Sequence, residues 1–346
     1  MFVLVIMAEL DTKNPQRCIE DCTEILLAQS QPYQEMLVDS DTLLYHYTDV
    51  NGLLGIVQSN TLWATEAAFL SDPVEMHYSA RLIKQVIDDY CAKNPYDLAT
   101  EQLEHMRMLP THTAYNDVFR EHVGQDVYPH RPEEAYAIIS FSLNDDSILL
   151  WREYADKGNG YALALTRTTL DGKLRSGTMT IGQDFIRRVL YQPEQQTTLI
   201  NDVLTTFLNY YREHNLEFGT VWQALDNELK TLLPVLKSHY YAQENEARYI
   251  GKMSNMMNWS LPKVADENKS DIEAMDVIFS AESGVVVPLI RMKPIDGGPI
   301  PIQEIVIGPS LNQDMAEIGL RRLCDRYHYP GSIRIKRSEV PYRSHL

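Results

Sequence analysis

Apolar and polar positions change period along the chain, and the changes mark out elements. Leu43 to Thr48 (L-L-Y-H-Y-T) alternates with period two, which predicts a strand, and Leu62-Trp63-Ala64-Thr65 predicts another. Between them Asp49 stands as a helix cap before a face of Leu53, Leu54, Ile56 and Val57 that ends near Asn60. Residues 8–38 carry helical spacing through Cys18, Cys22, Ile25 and Leu26. A helix is predicted over 73–93, opened by Pro73, with Ile83, Val86, Ile87 and Tyr90 on one face. Residues 95–133 show no clean period and read as an insertion with some helix.

Further along, Ala135–Ser142 reads as a strong strand, and Asp145 or Asp146 as the cap of a helix through Tyr154. Gly158 and Gly160 turn into a strand at Tyr161–Leu165, and residues 184–191 predict a further one. A long helical region spans 194–238, broken around Glu217–Gly219. Strands at Glu246–Ile250 and Gly284–Met292 precede a βαβ-like tail: Ile302–Gly308, a helix over Asn312–Tyr327, then Ser332–Arg337. Strands and helices mix without regular alternation, so the expected class is α+β rather than a doubly wound sheet. The expected division is an N-terminal helical extension, 1–42, and one domain, 43–346, interrupted by the 95–133 insertion and the 194–238 helices.

Composition narrows the function classes. Hydrophobic residues make up 44% of 346 and charged residues 23%, the balance of a globular chain able to bury a sizeable core. Lys and Arg number 31 against 48 Asp and Glu, a formal charge of −17 that argues against a broad duplex-binding face. A small nucleic-acid substrate in a local basic cleft stays open. No run approaches a membrane span, the apolar start Met1–Met7 lacks a basic flank, and the expected partners do not include a membrane. Cys18, Cys22, Cys91 and Cys324 are too sparse for a disulfide framework, so a cytoplasmic, reduced setting is expected. No histidine pair has metal-ligand spacing, so no metal is expected, and P-loop, dinucleotide-fingerprint, HExxH and GxSxG patterns are missing.

What remains is a set of polar residues lodged in apolar strands. His46 stands mid-strand between Tyr45 and Tyr47, suited either to a satisfied core position or to a ligand. Ser140 and Ser142 share a strand face and need partners if buried. Glu244 and Glu246, spaced i,i+2, are expected on one face of an extended segment with Arg248 next. Such carboxylates repel unless Arg248 or another cation screens them. Trp151 and Tyr154 fall one helical turn apart, the spacing of a packed pair. None of these decides a function alone.

Taken in order, the segments L-Y-H-Y-T (44–48), L-L-G-I (53–56), L-W-A-T (62–65), I-S-F-S (139–142), D-S-I-L-L-W-R-E-Y (146–154), G-N-G (158–160), Y-x-x-E-x-E-x-R (241–248), I-x-I-G-P (305–309) and S-E-V-P-Y-R (338–343) resemble a prokaryotic domain-of-unknown-function family, number twenty-nine seventy-one. That family is in turn similar to the ADP-ribosyltransferase-like superfamily. The resemblance implies a split mixed β-sheet core with helical insertions, and NAD as the substrate. His46 and Thr48 would hold the ribose and nicotinamide side, and Trp63 or Tyr47 would stack on the nicotinamide ring. Glu246, or failing it Glu244, would be the catalytic carboxylate, with Ser140 and Ser142 as a hydroxyl strand. Arg152 and Arg248 would pair the carboxylates or meet pyrophosphate. Tyr47 after His46, Trp63 in place of Tyr, and Ala247 in place of Trp depart from the family patterns. The implied activity is ADP-ribosyl transfer to a protein or single-stranded nucleic-acid acceptor by a bacterial toxin, effector or phage-defence component, paired with a neutralising or regulatory protein. NAD hydrolysis, and a non-catalytic nucleotide-sensing or interaction module on the same fold, stand beside it.

Overall fold

The computed structural model describes residues 14–70, 75–95, 103, 134–176, 184–214, 216–254, 276–282 and 284–342. In chain order its elements begin with α1 (Pro15–Gln29), α2 (Gln31–Glu35), β1 (Leu43–Thr48), α3 (Val50–Ser59), β2 (Leu62–Glu66) and α4 (Glu75–Lys93). Then come β3 (Glu134–Ser142), α5 (Ile148–Tyr154), β4 (Tyr161–Thr166), α6 (Arg167–Leu170), β5 (Leu174–Arg175) and β6 (Asp184–Arg188). After α7 (Pro193–His214) and α8 (Phe218–Leu232) follow β7 (Glu246–Ser254), β8 (Val277–Glu282), β9 (Val285–Pro294), β10 (Glu304–Ile307), α9 (Gln313–Arg326) and β11 (Arg334–Arg337). The expected α+β class holds. The readings for Met1–Met7 and Pro73, and nearly all of the 95–133 insertion, lie outside the described residues.

The chain divides into two compact units: 1–37, 72–132 and 189–240 form one, and 38–71, 133–188 and 241–346 the other. The first unit is helical in its described parts. Asn14 caps α1 by accepting from the Gln16 N–H, and Pro15 sits in the first turn, where its missing N–H is no loss. Cys18, Cys22 and Leu26 of α1 are buried, as are Leu199, Ile200, Val203, Leu204, Phe207 and Leu208 of α7. Residues 14–37 therefore belong with α7 and α8, with which α1 packs. Lys237 and Glu75 are both buried in this unit, 3.7 Å apart. The Gln196 amide donates to the carbonyls of Leu190 (2.6 Å) and Lys237 (2.8 Å). The strand predicted over 184–191 stops at Arg188, because Leu190 turns to pair with Leu236 instead.

The second unit is built on a mixed, open sheet of 11 strands in the order β11-β10-β4-β1-β3-β2-β9-β5, with β7 and β6 branching from β3 and β8 lying on β9. The parallel β10–β11 pair carries the predicted βαβ-like tail. β7 occupies one whole edge of β3, pairing at nine positions from Glu134↔Ser254 to Ser142↔Glu246. The other edge of β3 is shared. β1 touches it at Tyr45↔Ser142, and β2 at Thr65↔Ile138 and Glu66↔Ala137. Two groups of strands thus meet along a seam closed by one paired position. Among the described residues no helix is long and apolar enough to cross a membrane.

Alternation sends the two sides of this sheet into different cores. Leu44, Phe141, Leu163, Leu165, Ala247, Tyr249, Ile305 and Ile307 pack with Leu53, Ile56 and Val57 of α3 and with Leu320 of α9. Tyr45, Tyr47, Ala162, Ala164 and Val306 pack with Leu150 and Trp151 of α5. Asp49 caps α3 through the Gly52 N–H at 2.7 Å, and Asn60 ends it in the left-handed region (φ 54°), as the sequence pattern predicts. α5 differs from expectation: Ser147, not Asp145 or Asp146, occupies its cap position. Both carboxylates are engaged elsewhere.

Candidate functional site

The register places a row of side chains across six strands on the α5 side of the sheet: Arg334, Glu304, Ala164, Tyr45, Ser142 and Glu246. Small Ala164 leaves room for the Tyr45 hydroxyl to reach Glu304 at 3.2 Å, and Glu304 is also paired with Arg334. Burial and the Glu304 charge both push the Tyr45 phenol above its ordinary range, so it stays a donor. At the far end Arg248 grips Glu246 with two parallel bonds, Nε to Oε1 at 2.7 Å and Nη2 to Oε2 at 2.8 Å. Arg248 is 1% exposed and Glu246 6%, so this fork is out of water, where a charge-assisted bidentate pair is strong and an unpaired partner costly.

Glu244 does not share a pleated face with Glu246. The chain runs through a 3-10 turn, His239–Glu244, and Asn245 takes φ 46°, so β7 and its alternation begin only at Glu246. The turn is held by Ser142, whose hydroxyl donates to the Glu244 carbonyl at 2.6 Å and accepts from the Asn144 N–H at 3.0 Å. The Glu244 carboxylate accepts from the Tyr154 hydroxyl at 2.7 Å. Tyr154 is 40% exposed while Trp151 is fully buried, so the pair one turn apart divides its work instead of packing together. Trp151 donates its indole N–H to Asp146 at 2.7 Å and meets Tyr47 edge to face with ring centres 4.8 Å apart. The Tyr47 hydroxyl donates to the Asn144 carbonyl (2.9 Å) and accepts from the Ser147 N–H (3.2 Å).

Asp146 is not the cap that its position in the chain predicts. It accepts from Trp151, from the Ser338 hydroxyl at 2.6 Å and from the Glu339 N–H at 2.8 Å. Lys336 pairs with Asp145 and holds that carboxyl below the usual range. The D-S-I-L-L-W and S-E-V-P-Y segments are thus one construction: the tail straps α5 down.

His46 lies at the seam. Its Nδ1 is 2.9 Å from the Ser140 carbonyl, which only accepts, so Nδ1 carries the proton and the neutral ring has its lone pair on Nε2. Burial pushes the imidazole below its ordinary range, opposed by that bond. The ring meets Phe141 edge to face at 5.9 Å. Ser140 itself is exposed although mid-strand, consistent with a seam that leaves its side of β3 uncovered. Thr48 is packed on α3: a Cβ at Gly52 would fall 1.9 Å from the Thr48 hydroxyl oxygen. Trp63 sets its ring edge against Gly55, where a Cβ would fall 2.5 Å away, and donates its indole N–H to Thr61 at 3.0 Å.

Strand alternation divides the predicted residues. Ser142 and Glu246 share the side of Tyr45 and Tyr47, Ser140 and Arg248 follow them along β3 and β7, and His46 and Thr48 point with Leu44 to the other side. Around Ser142 the structure joins Glu244, Glu246, Arg248 and Tyr47; His46 reaches this group through the β3 backbone. Arg152 is exposed on α5 and forms no ion pair among the described residues. Tyr154, Asn144 and Asp146 take polar roles here that the sequence pattern does not predict. Their chain neighbours were all in view, but partners about a hundred or more positions away are not visible as spacing. No three His, Cys, Asp or Glu side chains gather at metal-binding distance among the described residues.

Residues 150–249 match the family model described as Protein of unknown function (DUF2971). The match begins within α5 and ends on β7, taking in Trp151, Tyr154, Glu244, Glu246 and Arg248, and over it the family resemblance drawn from the motifs is borne out. No curated protein and no solved structure matches the chain.

Proposed function

We propose that the second unit is an NAD-consuming ADP-ribosyltransferase whose acceptor is a protein or a single-stranded nucleic acid. The observation that supports it is the seam: two strand groups closed by one paired position, with His46 and exposed Ser140 beside it and the Glu244–Glu246 turn anchored on Ser142 at the same joint. Cleaving the glycosidic bond of NAD builds positive charge on the ribose, and a carboxylate held near the 2′-hydroxyl stabilises that charge. The acceptor nucleophile then forms its bond to the anomeric carbon as nicotinamide leaves with the bonding pair. Glu246 is committed to Arg248, so in this reading it fixes the turn, and Glu244, buried at 8% exposed and held by the partly exposed Tyr154, is the carboxylate that meets substrate. His46 Nε2 and the Thr48 hydroxyl are the ribose contacts, and Trp63 or Tyr47 supplies the aromatic face.

One observation favours a second reading, a nucleotide-binding module without turnover: the register sends His46 and Glu246 to opposite sides of the sheet. Radiolabelled NAD incubated with the full chain, alone and with lysate, separates the two. Transfer of label that Glu244→Gln abolishes while the fold is kept supports the transferase. NAD binding by calorimetry with neither transfer nor released ADP-ribose supports the module, and no binding removes both. If the protein is a toxin, its expression slows growth and Glu244→Gln relieves the effect.

A further inference from the structure

Arg175 on β5 and Lys293 on β9 face each other as a cross-strand pair. Arg291, two residues earlier on β9, stands opposite Trp63 of β2. The residues between them (Leu174, Met292, Pro294 and Leu62) are buried, whereas Arg175, Arg291, Lys293 and Trp63 are half-exposed. Alternation therefore turns all three cations and the indole to one side. Lys173, next to β5, is exposed and adds a fourth positive charge.

With 48 acids to 31 bases, many cations elsewhere find carboxylates: Arg17 has Asp21, Lys84 has Asp88, Arg167 has Asp171, Lys230 has Asp226, and Arg321 and Arg337 share Glu317. In the strip only Arg291 meets one among the described residues, Asp276 at 2.6 Å. Among the described residues the Nε atoms of Arg175 and Arg291, like that of Arg188 outside the strip, are buried donors with no acceptor. Like charges directly opposed across strands are destabilising. An anion bound over the pair would relieve that repulsion.

We infer that this outer side of β2, β9 and β5 binds the sugar–phosphate backbone of a single-stranded nucleic acid, with Trp63 available to a base. Successive cations on β9 are about 7 Å apart along the strand, comparable with the phosphate spacing of an extended single strand. A basic track beside an aromatic ring is the combination that holds single strands without reading their sequence. The strip is too short, and the rest of the protein too acidic, to follow a duplex.

The inference shares Trp63 and the single-stranded acceptor with the transferase reading, but its test needs no NAD, so either can fail without the other. Its test is fluorescence anisotropy of the full chain with a labelled twelve-nucleotide oligo-dT, titrated at low and moderate salt. Binding is expected to weaken with salt with a log–log slope of about −2, the value for roughly three phosphates neutralised on a single strand. Arg175→Glu is expected to lose at least about tenfold in affinity, and Trp63→Leu about fivefold or more if a base stacks there. Lys293→Gln, which removes one charge without reversing it, provides a milder variant should Arg175→Glu fail to fold. No binding at low salt, or equal binding by folded Arg175→Glu and Lys293→Gln proteins, overturns the inference. So does displacement of the oligonucleotide by poly-glutamate at equal charge, which would identify an acidic polypeptide as the partner instead.

Discussion

Each unit buries an ion pair, and the two pairs are built differently. In the helical unit Lys237 stands 3.7 Å from Glu75, a point charge held at a distance, with Gln196 binding the Lys237 carbonyl. In the sheet unit Arg248 and Glu246 lie two residues apart on one strand, locked by two short parallel bonds. A lysine tolerates adjustment because its ammonium has no fixed direction, while a guanidinium fork fixes both partners at once. The helical unit thus uses its buried charges to join segments far apart in the chain. The sheet unit uses its own to hold one turn, the turn that presents Glu244.

The strongest way to break this comparison is Arg248→Met. It leaves Glu246 buried without its fork and is expected to cost about 3–5 kcal/mol, read from urea unfolding of the whole chain. Restoring an apolar match with Glu246→Leu in the same protein should recover much of that loss; failure to do so would show the pair is more than a structural lock. In the helical unit the comparable lesion is apolar. Phe207→Ala empties a fully buried position and is expected to cost about 3–4 kcal/mol, and far-ultraviolet dichroism then reports loss of helix first.

Asp146→Ala is expected to cost about 2–3 kcal/mol, the sum of three hydrogen bonds at ordinary net values. A more telling sign is its location: protease cutting should rise between β11 and the C-terminus while the helical unit stays resistant. The smallest effect is on pH dependence. The His46 pKa is lowered in the folded state, so the unfolded chain binds the extra proton first. Stability is therefore full above about pH 6.5 and falls as the pH drops from there toward the folded value. His46→Gln should flatten that slope, and an unchanged slope would show that the seam does not bury the ring.

Much of the sheet was legible before the fold was known, and the reason is physical. β1, β2, β3, β4 and β9 line the cores, β1 and β4 on both sides, so burial imposes runs of apolar and β-favouring residues on them. Short or largely exposed strands leave no such trace: β5 has only Leu174 and Arg175, and β8, Val277–Glu282, lies outside the predicted Gly284–Met292 strand. The Glu244–Glu246 spacing suggested a shared face because nothing in the letters announces the left-handed Asn245. Asp146 looked like a cap because short-range rules favour aspartate there, but its partners Ser338 and Glu339 compete from the other end of the domain. The helices of 14–37 and 193–232 could be read singly, but an apolar stripe does not name the helix that covers it.

The strap between Asp146 and Ser338 also sets a clock. The two residues are 192 positions apart, so on the ribosome the carboxylate emerges about ten to forty seconds before its partner at common elongation rates. Through that interval α5 has Trp151 to bury but nothing yet to pin its leading end, and Tyr154 has no fixed post from which to hold Glu244. Whatever chemistry the turn performs is withheld from the nascent chain until Ser338 has emerged.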